Sequence, residues 1–244
     1  MQVEVTLPLI GSILLAACGA ATYYATYVVR SQWLGPTYWH GRRDTNAVAL
    51  TFDDGPSKDT ELILDFLQDH KLTATFFMIA RQVESLPGIA QRVAAEHHQI
   101  GNHSYSHPIY LYQSTRRTHE DLQRAQAVIY ETTGVHPKFA RPPCGVRTPA
   151  YFAATKSLKL RTVQWEVSGF DWKPRTAKDI ASDVLRRTRA GSIVLLHDGD
   201  SDGKRDRRET VASLPLIIEG LQEKGLHFVS LDQLLTEESF EMTI

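Results

Sequence analysis

The sequence predicts an α/β fold in which helices cover a parallel sheet that closes, or nearly closes, into a barrel. From Ala47 onward, seven short apolar runs alternate with amphipathic stretches whose apolar residues recur every three or four positions. Repeated strand–helix units with short connections place parallel strands in a sheet that is buried on both faces. Charged and histidine-containing motifs fall at the ends of these runs, where reactive residues lie in such barrels.

An uncharged segment precedes the predicted barrel. Residues 7–29 contain no charged residue, and their length reaches the roughly 20 apolar residues that span a bilayer. We therefore expect residues 1–30 to form an uncleaved single-pass membrane anchor. A buried soluble helix would need a polar face, and a cleaved signal peptide normally begins with a basic residue, whereas this chain begins MQVE. Residues 15–18 (LAAC) resemble a bacterial lipoprotein processing site with Cys18 as the lipidated residue, so that alternative stays open.

The charges that flank the segment and the chemistry of the domain predict opposite orientations. Arg30, Arg42 and Arg43 follow the segment and Glu4 precedes it, which taken literally places the rest of the chain in the cytoplasm. The chemistry described below favours the extracytoplasmic side of a bacterial cell envelope. Because large domains can translocate despite flanking charge, we expect the domain on that outer side.

The remainder divides into a polar and aromatic linker, residues 31–46, and one folded domain, residues 47–244. The predicted strands cover residues 47–52, 73–79, 99–102, 138–140, 161–167, 192–196 and 227–231. The predicted helices cover residues 58–70, 82–97, 118–132, 148–157, 177–189 and 210–224. The formal net charge of −1 gives no electrostatic sign of a nucleic-acid partner. Two cysteines cannot form a disulfide framework or a thiolate zinc site.

Two adjacent carboxylates end the first predicted strand, in the hexapeptide TFDDGP (residues 51–56). Like charges this close raise one pKa strongly unless a cation shares the site. A divalent metal bound by Asp54 would relieve the repulsion and leave Asp53 free as a base. A surface turn is the alternative interpretation of the hexapeptide alone.

His103 and His107 follow the third predicted strand. Their spacing predicts that both imidazoles lie on one face of a helical turn and can share one metal ion. Together with Asp54 they make a set of two nitrogens and one carboxylate, which leaves open positions as in catalytic zinc sites. A solvated histidine pair is the alternative for the HxxxH spacing alone.

Three later motifs complete the candidate site. Residues 141–145 (RPPCG) predict a rigid loop that can aim a backbone N–H at a developing oxyanion. Asp171 is predicted to pair with Arg141 in a buried ion pair that tunes Asp53, with a weak surface salt bridge as the alternative. His197 ends the sixth run and is placed to protonate a leaving group near neutral pH.

In this order the five motifs resemble those of the NodB-type polysaccharide deacetylases, carbohydrate esterase family four, over roughly residues 47–235. The resemblance implies a distorted (β/α) barrel of seven or eight strands. It implies one divalent metal, Zn²⁺ or alternatively Co²⁺, held by Asp54, His103 and His107. It also implies that Asp53 is the general base and His197 the general acid.

The same resemblance assigns roles to the remaining site residues. Arg141 and Asp171 are implied to position the base, and the backbone N–H of Cys144 is implied to be the oxyanion donor. Trp172, Leu195 and Pro143 are implied to contact the substrate, with Trp172 and Leu195 as walls of an acetyl pocket. Two residues depart from the family pattern: Cys144 replaces a usual aromatic residue, and Ser168 stands where related enzymes often carry Asp.

The implied function is metal-dependent removal of N-acetyl groups from an N-acetylglucosamine-containing polysaccharide, with release of acetate. One alternative is a related amide or O-acetyl ester hydrolase of the same barrel family. Of these, the branch that acts on a small amide or cyclic imide is expected to lack part of the metal triad. Another is a non-catalytic, membrane-tethered glycan-binding protein, which we expect to lack Asp53 or His197. Residues 198–209 match the spacing of a calcium-binding loop, but Arg205 replaces its apolar anchor, and we interpret the segment as a solvated loop.

Overall fold

Eight parallel strands and nine α-helices alternate along the computed structural model, which describes residues 7–235. The strands are β1 (Ala47–Asp53), β2 (Thr75–Met78), β3 (Gln99–Asn102), β4 (Phe139–Ala140), β5 (Arg161–Thr162), β6 (Val167–Ser168), β7 (Ile193–His197) and β8 (His227–Phe228). The helices are α1 (Leu7–Tyr27), α2 (Lys58–Asp69), α3 (Ala80–Ser85), α4 (Pro87–Ala95), α5 (Thr115–Thr133), α6 (Pro149–Ser157), α7 (Ala177–Arg187), α8 (Arg208–Glu223) and α9 (Leu231–Leu234).

Strand β1 is the centre of the sheet, whose order is β5-β4-β3-β2-β1-β7-β6, with β8 beside the first residues of β1. Every residue of β1 is buried, as expected for a parallel strand covered on both faces. Alternate side chains of a strand point to opposite faces, so Val48, Leu50 and Phe52 join the large core beneath the helices. Thr51 and Asp53 lie on the other face, which is the inner face of the curved sheet.

The sheet is a curled half-barrel, which confirms the predicted fold of about seven strands and selects its open form. Among the described strands, β5 and β6 lie at the two ends of the order and do not pair with each other. The predicted strand over residues 161–167 is therefore wrong as a single element, because the chain leaves the sheet between Thr162 and Val167. Two isolated bridges lie beside this seam between β5 and β6: Tyr38 pairs with Val163, which follows β5, and His40 pairs with Ser192, which precedes β7.

The predicted helix over residues 82–97 is also two elements. Helix α3 ends at Ser85, and α4 begins at Pro87. Proline is accommodated at the first position of a helix, where its missing N–H is not needed, but not in a helix interior. The other predicted helices are observed with ends within three residues of the expected positions.

Helix α1 stands apart from the core over most of its length. Leu15, near its middle, is 77% exposed, and the candidate span Leu9–Tyr27 is long and apolar enough to cross a membrane. Only 11% of that span is buried, so α1 is not a core helix of the domain. Its last turn does contact the domain, because Ala25 and Thr26 are buried.

Candidate active site

The predicted site residues converge at the carboxyl-terminal rim of the sheet. Asp53 ends β1 and lies in register with His197, which ends β7. Because neighbouring parallel strands in register present equivalent residues on the same face, both side chains reach the inner side of the rim. His103 follows β3 and Arg141 follows β4, so their loops open onto the same rim.

Asp54, His103 and His107 form a compact cluster of possible metal ligands. The Nε2 atoms of His103 and His107 lie 3.3 and 3.2 Å from Asp54 Oδ1. In the part of the chain that the structure describes, these are the residues whose ligand atoms meet within 4.8 Å. The Cys144 thiol is outside this cluster.

The two imidazoles converge through a loop, so the predicted helical turn is wrong. Ser104 and His107 have φ angles of 73° and 59°, in the left-handed region that a right-handed helix excludes. Asn102 Oδ1 accepts a hydrogen bond from the Ser104 N–H at 2.8 Å, and Ser104 Oγ accepts one from the His107 N–H at 2.8 Å. These side-chain contacts replace the helical hydrogen bonds and fix the loop.

The cluster has the features of a metal site. Nδ1 of His103 donates to the Arg141 carbonyl at 2.7 Å, which leaves its Nε2 as the coordinating nitrogen. Asp54 Oδ1 is buried and has no hydrogen-bond partner, a costly state for an unpaired carboxylate oxygen. Burial opposes ionisation, but the neighbouring imidazoles outweigh it and hold the pKa of Asp54 well below its usual value. The donor set of two imidazoles and a carboxylate therefore fits a divalent cation such as zinc.

Asp53 is held by a buried arginine. Its Oδ1 accepts a hydrogen bond from Arg141 Nη1 at 2.7 Å, and the same nitrogen donates to Thr51 Oγ1 at 2.9 Å. Arg141 is fully buried, and its other terminal nitrogen donates to the Gln164 carbonyl at 3.0 Å. Burial lowers the pKa of Arg141, and the charge of Asp53 opposes that shift. The arginine thus fixes the orientation of the Asp53 carboxylate.

The predicted pairing of Asp171 with Arg141 is wrong. Asp171 instead accepts from the His197 ring Nδ1 at 2.8 Å and from the His197 backbone N–H at 2.7 Å. Thr210 Oγ1 donates to the same carboxylate at 2.9 Å. The loop after β6 returns beside β7, so its acid meets the histidine of β7 and not the arginine after β4. Burial alone would lower the pKa of His197, but the charge and the hydrogen bond of Asp171 outweigh burial and raise that pKa.

The turn after Arg141 lies close to the triad. Cys144 is exposed and has a φ of 55° within the turn Pro143–Gly145. Gln164 supports this turn, because its Nε2 donates to the Gly145 carbonyl at 2.8 Å. Although the residue as a whole is exposed, its thiol is partly buried. This partial burial, together with the charge of Asp54, raises the pKa of the Cys144 thiol, so the thiol stays protonated near neutral pH.

The predicted substrate-contacting residues flank these groups. The Trp172 ring lies edge-on to the His197 ring, with centroids 5.4 Å apart. Leu195 is buried on β7 opposite Thr51, and Pro143 is buried in the turn beside Cys144. Ser168 of β6 pairs with Leu195 of β7, and the Ser168 hydroxyl accepts a hydrogen bond from the Phe170 N–H at 3.1 Å.

Asp198 is a site residue that the sequence interpretation missed, because it was assigned to a solvated loop. It is 1% exposed, and its two oxygens accept from the Gly55 N–H at 3.0 Å and from Thr60 Oγ1 at 2.7 Å. Burial raises its pKa to about 7. A Cβ at Gly55 would collide with this carboxylate. Strand alternation, which turns Asp198 away from His197 and toward α2, is the signal that could have located it.

Arg207 was also missed, and it links two of the site loops. Its side chain is buried and donates to the Asp171 and Gly199 carbonyls. The calcium-loop spacing of residues 198–209 has no counterpart in the geometry: Asp200 accepts from backbone N–H groups of its own loop, and Glu209 accepts from the Ala177 N–H.

The rim of the β/α half-barrel thus combines the triad with a carboxylate held by an arginine and an imidazole held by an aspartate. The polysaccharide deacetylase family matches residues 40–163. The chain is 36% identical over 192 residues to the peptidoglycan-N-acetylglucosamine deacetylase PgdA of Listeria monocytogenes, covering 78% of this chain and 39% of that protein. It is 35% identical to a chitooligosaccharide deacetylase of Bradyrhizobium, covering 78% of this chain and 91% of that protein.

A solved structure shows the same fold. The crystal structure of the Bc1960 peptidoglycan N-acetylglucosamine deacetylase superposes with a TM-score of 0.76 at 34% identity, covering 82% of this chain and 92% of that chain. The chain therefore belongs to the polysaccharide deacetylase family. It spans about two fifths of the length of the Listeria relative.

Proposed function

We propose that this protein hydrolyses N-acetyl groups of an N-acetylglucosamine-containing polysaccharide, with release of acetate and formation of a free amino sugar. The observation that supports the proposal is that two neighbouring aspartates, Asp53 and Asp54, have different partners in one cleft. Asp54 faces two imidazoles with an unpartnered oxygen, while Asp53 is held by Arg141 and stays outside the triad. One acid is suited to bind a cation and the other to accept a proton.

Asp54, His103 and His107 would hold one divalent metal, with Zn²⁺ expected and Co²⁺ as the alternative. Such a cation supplies Lewis-acid polarisation of a carbonyl oxygen and lowers the pKa of water. Pro143, Leu195 and Trp172 are proposed to receive the acetyl group.

Asp53 is the proposed general base. It accepts a proton as water attacks the acetamide carbonyl, and Arg141 holds its carboxylate toward the attacking water. The Cys144 N–H donates to the developing oxyanion. His197 is the proposed general acid, since Asp171 fixes the proton on Nδ1 and leaves Nε2 to protonate the departing amine. The carbon–nitrogen bond breaks as that proton arrives.

We propose that residues 1–30 are the membrane anchor, residues 31–46 a linker that also contributes Tyr38 to the sheet, and residues 47–244 the catalytic domain. The uncharged α1 supports the anchor, and the acetylated glycans named for the relatives support a catalytic domain on the extracytoplasmic side of a bacterial envelope. Lipidation at Cys18 is the second candidate for attachment.

Acetate release tests the function directly. The purified full chain is incubated with N-acetylglucosamine tetramer and with acetylated xylan, each with and without a chelator. We expect acetate from the tetramer, its loss on chelation and its recovery on adding Zn²⁺. Release from xylan alone would indicate an ester hydrolase, and binding of the tetramer without acetate would indicate a glycan-binding protein.

A further inference from the structure

Arg147 joins the membrane helix to the loop that carries the proposed oxyanion donor. Its guanidinium is fully buried and donates to the carbonyls of Val28, Val29 and Ser31, just beyond the end of α1. The Arg147 backbone N–H also donates to the Thr26 carbonyl at 3.2 Å. The Thr26 carbonyl belongs to the last turn of α1, whereas the three carbonyls bound by the guanidinium follow the helix end and are satisfied by a cation instead of by water.

This contact, called the Arg147 clamp below, ties the end of α1 to the domain. Several carbonyls share one buried cation, and charge-assisted hydrogen bonds are stronger than neutral ones. Ala25, Thr26 and Ser31 are buried beside it, and the Tyr24 ring packs on Trp33 with centroids 4.9 Å apart. The domain is therefore not suspended on a flexible tether.

The clamp also fixes the height of the cleft above the membrane. Cys144 precedes Arg147 by three residues, which span at most about 11 Å. The clamped carbonyls begin one residue after the candidate span Leu9–Tyr27. The proposed oxyanion donor consequently lies close to the level at which the chain leaves the bilayer.

An exposed apolar segment adjoins the same region. Ile109, Leu111 and Tyr112 are 42%, 41% and 78% exposed, and Ile109 is two residues after the triad residue His107. Between them, Tyr110 is buried and packs on Tyr151 of α6, with ring centroids 5.4 Å apart. Helix α6 begins two residues after Arg147. Exposed aromatic and aliphatic side chains beside a membrane helix are typical of contact with the lipid headgroup region.

We propose that the Arg147 clamp and residues 109–112 hold the cleft at the membrane surface, so that the enzyme acts on acetylated saccharides carried by lipids of its own membrane. This inference rests on the proposed function, from which it takes the reaction. The clamp makes the anchor a positioning element of the catalytic domain. A saccharide joined to a lipid headgroup is then presented at the level of the cleft, whereas a free oligosaccharide gains nothing from the anchor.

The test compares two substrates of the full chain. The protein is supplied with Zn²⁺ and reconstituted in phosphatidylethanolamine–phosphatidylglycerol vesicles. One substrate is free N-acetylglucosamine tetramer, and the other is the same tetramer joined by a short link to a phospholipid in those vesicles. A first variant carries a helical insertion of 11 Glu, Ala and Lys residues between Tyr23 and Tyr24, which keeps the Tyr24–Trp33 contact, raises the clamped domain by about 16 Å and preserves its facing. A second carries an insertion of equal length made of Gly and Ser.

We expect the helical insertion to lower acetate release from the lipid-linked tetramer by about tenfold or more, since the effective concentration at the cleft falls. The flexible insertion should have a smaller effect, and all three proteins should release acetate equally from the free tetramer. Equal rates on the lipid-linked tetramer for all three would overturn the proposal.

A measurement without turnover separates this inference from the proposed function. A fluorophore is placed at Tyr112→Cys in a Cys18→Ser, Cys144→Ser background, with Glu223→Cys on α8 as the matched control. Headgroup-attached quenchers should quench the label at position 112, but not the label at position 223 or the label at 112 in the helical-insertion variant. An unquenched label at position 112 rejects the placement. Quenching of that label, together with no acetate from either tetramer in assays of the unlabelled chain without substitutions, rejects only the proposed function.

Discussion

Asp53 and Asp54 are neighbours in the chain but have opposite surroundings. Asp53 accepts a hydrogen bond from Arg141, and across the cleft Asp171 holds His197 in the same way. Asp54 Oδ1 is buried against two imidazoles without a hydrogen-bond partner. Because buried polar atoms are normally satisfied, the comparison distinguishes the region proposed to bind a cation from the region proposed to transfer protons.

Removing a triad imidazole tests the first region and should have the largest effect. His103→Ala is expected to lose the metal and to lower kcat/KM by about a thousandfold or more, because a cation contributes several kcal/mol to charge stabilisation. Metal content by elemental analysis and acetate release check both expectations. His98→Ala is the matched control, since His98 is also a buried histidine near β3 but lies outside the cluster. A metal-loaded His103→Ala protein would contradict the assignment.

Neutralising Asp53 tests the second region while leaving the first intact. Asp53→Asn should keep the metal and lower kcat by about 10²- to 10⁴-fold, the usual contribution of a general base. Thr51→Val controls for the disturbance of Arg141, because it removes another hydrogen bond of that side chain without removing the acid. The distinction between the two acids fails if Asp53→Asn loses its metal or keeps its rate.

Asp171→Asn should have a smaller effect and a distinct pH signature. The carboxylate raises the pKa of His197, so this proposed general acid stays protonated to higher pH. Without it, the alkaline limb of the kcat/KM profile should move to lower pH, and the rate should fall by about ten- to a hundredfold. Thr210→Val removes another donor to Asp171 without changing charge and should leave the limb in place. An unshifted limb in Asp171→Asn would remove His197 from the role of acid.

The triad and the strand ends could be predicted from sequence because each ligand lies within a local motif at a strand end. The partner of Arg141 could not, since it depends on which loops share the rim after the sheet has curled. The order β4-β3-β2-β1 brings Arg141 toward β1, and the return from β6 to β7 gives Asp171 to His197. The spacing of residues along the chain does not predict either of these two contacts.

The buried charged residues Asp198 and Arg147 could not be predicted from the sequence for a related reason. Asp198 follows directly after His197, and its environment depends on α2 packing over the end of β7. Arg147 reads as an ordinary polar residue after a proline-rich turn, and only its three carbonyl partners reveal its role. Buried charge is disfavoured unless partners are present, and those partners are distant in sequence.

The seam between β5 and β6 bears on how the enzyme can be shortened for solution work. Tyr38 bridges to Val163 after β5, and His40 bridges to Ser192 before β7, although Tyr38 and His40 both precede the first strand of the sheet. A truncated protein that starts at Ala47 would uncover strand edges there, and uncovered edges promote association between molecules. A soluble version is better begun upstream of Thr37, so that the segment that closes the gap is retained.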